Sequence, residues 1–200
     1  MIKLNLGCGW RNFGDDWEHI DGGDYPHVKS HDVTRLPYVN GSVDLIYSSH
    51  IFEYFDREEG LKVLKEWFRV LRSGGTLRIA VPDFEMMARL YSEGKFPLKN
   101  FLGPIFGKME MGMKGGETGN IIYHKTTYDF DDLKALLEEA GFDNVRRYDW
   151  KVTSPHDRID DHSQCYLPHE GFVPSKENPF DKDGGYLISL NLEADKPARD

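Results

Sequence analysis

The sequence predicts a doubly wound, mostly parallel α/β sheet. Three observations carry that expectation. Short apolar runs alternate with longer crossover segments, a glycine turn follows the first run directly, and one crossover has clear helical periodicity. The 200 residues give room for one such domain with a real core, and not comfortably for two.

The first strand holds Leu4 and Leu6 and ends in Gly7-Cys8-Gly9. Glu18-His19-Ile20-Asp21 predicts a second, very short strand and Val28 to Val33 a third. Val43 to Tyr47 predicts a fourth, set up by the turn Asn40-Gly41. From about Arg57 to Leu71, the residues Leu61, Leu64, Trp67, Phe68 and Leu71 keep the spacing of one buried helix face. Ser73-Gly74-Gly75 is expected to stop that helix. Thr76 to Val81 reads as the next strand, closed by Pro82, and Phe84 to Tyr91 as a short helix.

Between Ser92 and Lys125 the chain is rich in glycine and methionine and weakly periodic. It reads as a lid-like insertion, about 92–125, within a single domain spanning 1–200. Its length without firm secondary structure favours a functional role over a plain connector. Phe130 to Ala140 predicts a helix with Leu133, Leu136 and Leu137 on one face and Gly141 as its cap. Val145 to Val152 and Tyr186 to Leu192 read as the last two strands, and helices are expected on both faces of the sheet.

Composition narrows the function classes. No apolar run approaches the ~20 residues needed to cross a bilayer. Acidic residues outnumber basic ones 34 to 25, and the only tight basic pair is Arg146-Arg147, so nucleic acid is not an expected partner. Cys8 and Cys165 have neither metal-ligand spacing nor a disulfide pattern, and the N-terminal run lacks a signal-peptide core. These features fit a reducing, cytoplasmic setting.

Glycines placed directly after a first strand let backbone approach a ligand that a Cβ would block. Asp21 ends the second strand, where a carboxylate can accept from ribose hydroxyls. Asp32 and Val33 end the third, where an Asp can accept from an adenine amino group and the next N–H can meet a ring nitrogen. Each acid alone is equally well a solvated loop residue.

Taken in order, Leu4-Asn5-Leu6-Gly7-Cys8-Gly9, His31 to Pro37, Ser42 to Tyr54, Leu71 to Leu77 and Ala140-Gly141-Phe142 resemble the class I S-adenosylmethionine-dependent methyltransferases, most closely the methyltransferase type 11 group. The late run Ile188 to Glu193 resembles the final strand of small predicted bacterial methyltransferases of this kind. The resemblance implies a Rossmann-like fold and S-adenosylmethionine as cofactor, with S-adenosylhomocysteine as product. It places Gly7, Gly9, Asn5 and Cys8 under the methionine moiety, Asp21 on the ribose and Asp32 with Val33 on the adenine. Ser48, Ser49 and His50 then line the pocket beside the sulfonium. Two departures stand out: Asn5 replaces the family's usual acid, and the stretch from Gly9 to Glu18 is too short for the usual first helix.

A hydroxyl acceptor needs a base, and candidates belong on loops at the carboxyl ends of strands. His50, Asp83, His124, Asp161 and His162 are the candidates, the last two within the polar run Asp160 to Gln164. Their plainer roles are a helix start for His50, a helix cap for Asp83, a surface position for His124, and a solvated or metal-binding loop for the others. The expected acceptor is a small molecule or a sugar (glycan) hydroxyl. A non-catalytic module binding S-adenosylmethionine or S-adenosylhomocysteine, and a nicotinamide-dependent oxidoreductase, are the alternatives in other classes.

Overall fold

The computed structural model describes residues 1–112, 118–153, 161–176 and 180–198. The first four strands are β1 (Lys3–Leu6), β2 (Glu18–Ile20), β3 (Val28–Ser30) and β4 (Val43–Ser49). Helix α1 (Arg57–Val70) leads into β5 (Leu71–Pro82), which is followed by α2 (Phe84–Ser92). The insertion contains α3 (Leu102–Phe106) and the antiparallel strands β6 (Lys108–Gly112) and β7 (Thr118–Tyr123). Helix α4 (Phe130–Glu139) precedes β8 (Asp143–Arg147), and a small pair, β9 (Tyr166–Leu167) with β10 (Tyr186–Leu187), precedes β11 (Ser189–Asp195).

Seven strands form one sheet in the order β3-β2-β1-β4-β5-β11-β8. The pairs from β3 to β5 are parallel, whereas β11 runs antiparallel to both β5 and β8. The expected mostly parallel α/β sheet is present, with the order reversing between β1 and β4. Ligands of such sheets bind outside the strand carboxyl ends at that reversal.

Strand alternation separates two unlike faces. Leu4, Leu6, Ile46, Leu77, Ile79, Leu190 and Leu192 share one face with Leu64 and Trp67 of α1 and Leu133 and Leu137 of α4, and these form the main core. The opposite face is polar along a cross-strand row: His19, Asn5, Tyr47, Arg78, Glu193 and Arg146 are successive partners. On this face the expected abbreviation of the first crossover is visible. The short first crossover holds no helix, and Phe13 and Trp17 pack their rings around Tyr47 instead.

Other boundaries differ for local reasons. α1 starts with a capping box: Asp56 accepts from the Glu58 and Glu59 N–H groups, and the Glu59 carboxylate accepts from Asp56 N–H. It ends at Val70, before the glycines, because Leu71 already turns to extended backbone. Ser73-Gly74-Gly75 therefore lies within β5, at an irregularity in its pairing with β4. The third strand stops at Ser30, leaving Asp32 and Val33 in the turn beyond it. The strand expected over Val145 to Val152 is β8, which ends at Arg147. The one expected over Tyr186 to Leu192 divides at Ile188, whose N–H bonds to Cys165 rather than to a neighbouring ladder strand. The insertion has firmer structure than its weak periodicity suggested, because the hairpin supplies the regularity.

Candidate active site

Two adjoining hollows lie past the carboxyl ends of the central strands. The first is a narrow cleft beside the β1 turn, lined by Asn5, Gly7, Cys8, Ser49, Asp161 and His162 among others. Gly7 and Gly9 both have positive φ, +72° and +55°. A Cβ on Gly7 would overlap Ile51, whereas one on Gly9 would meet nothing within 4 Å. Asp21 reaches the same turn. Its Oδ2 accepts from Gly9 N–H at 2.7 Å and its Oδ1 from Gly23 N–H at 2.7 Å. The abbreviated crossover therefore still brings this carboxylate to the glycines.

Asp32 is exposed and accepts from the N–H and the hydroxyl of Thr34, which hold its pKa below the usual carboxylate range. Val33 is buried, and its carbonyl accepts from the Trp67 indole at 2.9 Å. Cys8 is buried, and its thiol is pushed up to about 12, chiefly by desolvation and then by Asp21. It is no nucleophile near neutral pH.

The second hollow is a cavity of about 380 Å³ between the sheet end and the insertion. His50, His124 and His162, three of the five expected base candidates, line it together. His50 follows β4 with φ of 51°, an uncommon left-handed conformation for a residue other than glycine. Its ring lies 5.3 Å from that of His162. His124, at the end of the insertion, is half-buried with only 8% of its side chain exposed, and Tyr54 meets its ring edge-on.

Glu53, which sequence reasoning passed over, sits behind two of these rings. It is fully buried, and its Oε1 lies 3.4 Å from His50 Nδ1 and 3.6 Å from His124 Nε2. Its carboxyl oxygens make no hydrogen bond among the described residues, and burial pushes its pKa up to about 8. Burial also lowers the pKa of His50 and His124, with nearby imidazoles contributing. These shifts favour the uncharged forms of Glu53, His50 and His124. An acid between two aromatic residues in a short turn carries no sequence signal that it will be buried.

Asp161 is neither solvated nor in the larger cavity, and Asp83 caps a helix. Asp161 is buried and accepts from the Tyr47 hydroxyl at 2.5 Å and from the Ser163 hydroxyl and N–H at 2.5 and 2.8 Å. These bonds commit it to fastening the 162–164 turn onto the sheet. Asp83 caps α2 through Met86 N–H and faces Arg147 at 3.4 Å, and it is not among the cavity-lining residues. Of the expected sulfonium neighbours, Ser49 faces the cleft and bonds to Ser163 N–H, whereas Ser48 is wholly buried on the other side of the strand. Asp160 lies outside the described residues.

A profile of the methyltransferase domain matches residues 14–79. An arsenite methyltransferase from Halobacterium salinarum is 26% identical over 169 residues, covering 84% of this chain and 33% of that protein. A demethylmenaquinone methyltransferase from Staphylococcus aureus is 34% identical over 124 residues, covering 58% of this chain and 46% of that protein. Over this stretch the chain is similar to S-adenosylmethionine-dependent methyltransferases. The chain spans between a third and a half of the length of these curated relatives. Its fold matches a SAM-dependent methyltransferase from Archaeoglobus fulgidus with a TM-score of 0.55 at 15% identity, over 98% of this chain and 86% of that one. A putative methyltransferase solved with the Trm112 activator of Haloferax volcanii superposes with a TM-score of 0.52 at 16% identity, over 100% and 83%.

S-adenosylmethionine is the cofactor that the resemblance implies, and two features beside the β1 turn fit it. The Asn5 amide nitrogen is buried there and has no hydrogen-bond partner among the described residues. A donor left unpaired costs about 1–3 kcal/mol unless something accepts from it, and a carboxylate would. The open space at Gly9 admits a ligand against backbone. Among the described residues no helix is long and apolar enough to cross a membrane.

Proposed function

We propose that the protein transfers the methyl group of S-adenosylmethionine to a hydroxyl of a small molecule held in the cavity beneath the insertion. The observation that carries this reading is the position of His162, which alone among the described residues lines both the cleft beside the β1 turn and the cavity. A base at that junction faces both reactants.

In this reading Asn5 donates to the cofactor's carboxylate, and the Gly7–Gly9 turn lies under its methionine portion. Asp21 keeps unused lone pairs for ribose hydroxyls while it braces Gly9 and Gly23. Asp32 and the Val33 N–H take the adenine. When bound, the cofactor supplies a methyl group on a positively charged sulfur. His162 accepts the acceptor's hydroxyl proton, and the Asp161–Ser163 bonds hold its backbone in place. The insertion covers the cavity and limits water, so that much of the rate arises from orientation and exclusion.

Calorimetric titration of S-adenosylmethionine and S-adenosylhomocysteine tests the reading, with Asp21→Ala as the control. Saturable binding weakened by the substitution is expected. Folded protein that binds neither would overturn it.

A further inference from the structure

We infer that the acceptor is a flat, largely apolar aromatic hydroxyl compound rather than a sugar; this deepens the function proposed above and rests on it. The argument starts from where the cavity's polar atoms are directed. Asn191 donates to the Ser163 carbonyl, which orients its amide, and its Oδ1 accepts from the Ser189 hydroxyl at 2.9 Å. Ser189 Oγ is thus the acceptor in its 2.9 Å contact with His50 Nε2, so that nitrogen carries hydrogen. His50 Nδ1 is left facing Glu53. The Pro104 carbonyl can only accept, so His124 Nδ1 donates to it at 2.9 Å, and His124 Nε2 also faces Glu53.

Both nitrogens of both rings are therefore turned to groups of the protein. What these residues offer a ligand is ring face and carbon edge. The wall continues with Tyr54, Pro104, Met109, Cys165 and Ile188, and the exposed Lys108 adds a cation at its rim. The Cys165 thiol is pushed up to about 11 by burial, so no anion stands there at neutral pH. A sugar brings several hydroxyls, each needing a partner on entering this wall. An aromatic alcohol brings a face that stacks on imidazole and phenol rings and one hydroxyl for His162. About 380 Å³ falls in the usual range for small-molecule sites and is ample for one or two fused rings.

The transfer balances without a further reactant. The hydroxyl proton moves to a His162 ring nitrogen, the oxygen bonds to the methyl carbon, and the carbon–sulfur electron pair stays on sulfur. An aryl methyl ether and a neutral thioether result, and the imidazolium proton returns to water.

Gly103 is a position at which a larger side chain can be introduced beside the cavity without a clash at its Cβ. It lines the cavity on α3, and a Cβ there meets nothing within 4 Å. The test uses the whole protein loaded with S-adenosylhomocysteine, with 1-naphthol, catechol and methyl α-glucoside as probes followed by ligand-observed NMR. An aromatic probe should bind, methyl glucoside should not, and Gly103→Phe should weaken aromatic binding at least about tenfold while Gly103→Ala changes it little. Glucoside binding equal to the aromatic probes, aromatic binding indifferent to Gly103→Phe, or no probe binding at millimolar concentration would each overturn the inference. Failure to load S-adenosylhomocysteine would instead overturn the underlying methyltransferase reading.

Discussion

Ile51 occupies the space that a side chain on Gly7 would need: a Cβ there would stand 2.6 Å from Ile51 Cδ1 and 2.8 Å from Ile51 Cβ. The clash involves the branch point of a stiff side chain, so Ile51 cannot simply swing away. Gly7→Ala should cost roughly 1–3 kcal/mol through overpacking, with the left-handed backbone adding to it. Gly9→Ala meets no atoms within 4 Å and should cost only about 1–2 kcal/mol for its backbone conformation. Urea unfolding of the two variants gives the comparison. Equal losses would show that Ile51 does not set the close approach.

Trp67 connects the core to the turn beyond β3. Its ring is fully buried, and its N–H bonds to the Val33 carbonyl. Trp67→Phe should cost about 1–3 kcal/mol for the unpaired carbonyl, with lost packing in addition. It should also weaken S-adenosylmethionine binding, because Val33 and Asp32 share that turn. Calorimetry on the folded variant checks the second effect.

Glu53 gives stability an unusual pH dependence. Its folded pKa, about 8, lies above the ordinary value of 4.5. Between those values the folded state holds a proton that the unfolded state has released, so Glu53's contribution falls as pH rises from about 4.5 to 8. Glu53→Gln cannot ionise. The variant should gain on the parent protein between pH 5 and pH 8, read as the difference in urea midpoints. A difference independent of pH would show that Glu53 is ionised in the folded protein.

His19 acts in the opposite direction. It is buried, its Nε2 accepts from Phe13 N–H at 2.9 Å, and its pKa is lowered from 6.5 to about 4, mainly by desolvation. Its contribution is complete above pH 6.5 and is lost as pH falls toward 4, where the unfolded chain binds the proton first. The His19 ring should remain neutral by NMR at pH 5.5. A ring already charged there would mean that the Phe13 bond is not made.

Tyr47 fastens the turn that carries His162. Its hydroxyl meets the buried Asp161 carboxylate at 2.5 Å, and its own pKa is raised by burial and by that charge. Tyr47→Phe should cost about 1.5–3 kcal/mol, the range for bonds to charged groups. It should also shift the His162 ring resonances. Unchanged stability and unchanged resonances would leave Asp161 adequately held by Ser163 alone.

The sheet was legible because each central strand announces itself. Leu4 and Leu6 before a glycine turn, the run from Val43, and the helix stripe through Leu64 and Trp67 all carry period and punctuation. The direction of β11 was hidden, since Leu190, Leu192 and Ala194 alternate identically whichever way the strand runs. The meeting of His50, His124 and His162 was partly legible, because each follows a predicted strand or the insertion. Glu53 was not, because its character comes from burial against His124, which the fold brings from a distant part of the chain. Asp83 and Asp161 show the converse. Both sit at promising positions, and local bonds to N–H groups absorb them.

The placement of β11 also bears on how the protein is made. This strand lies between β5 and β8, with Leu190, Leu192 and Ala194 fully buried, so β8 has no neighbour in the sheet until residues near 195 are synthesised. During translation the nascent chain must hold the edge of β5 open, with its row of unpaired amides and carbonyls exposed to other chains. Ribosome stalling or premature termination before residue 189 would therefore release a product with that edge bare, a form suited to capture by chaperones or proteases.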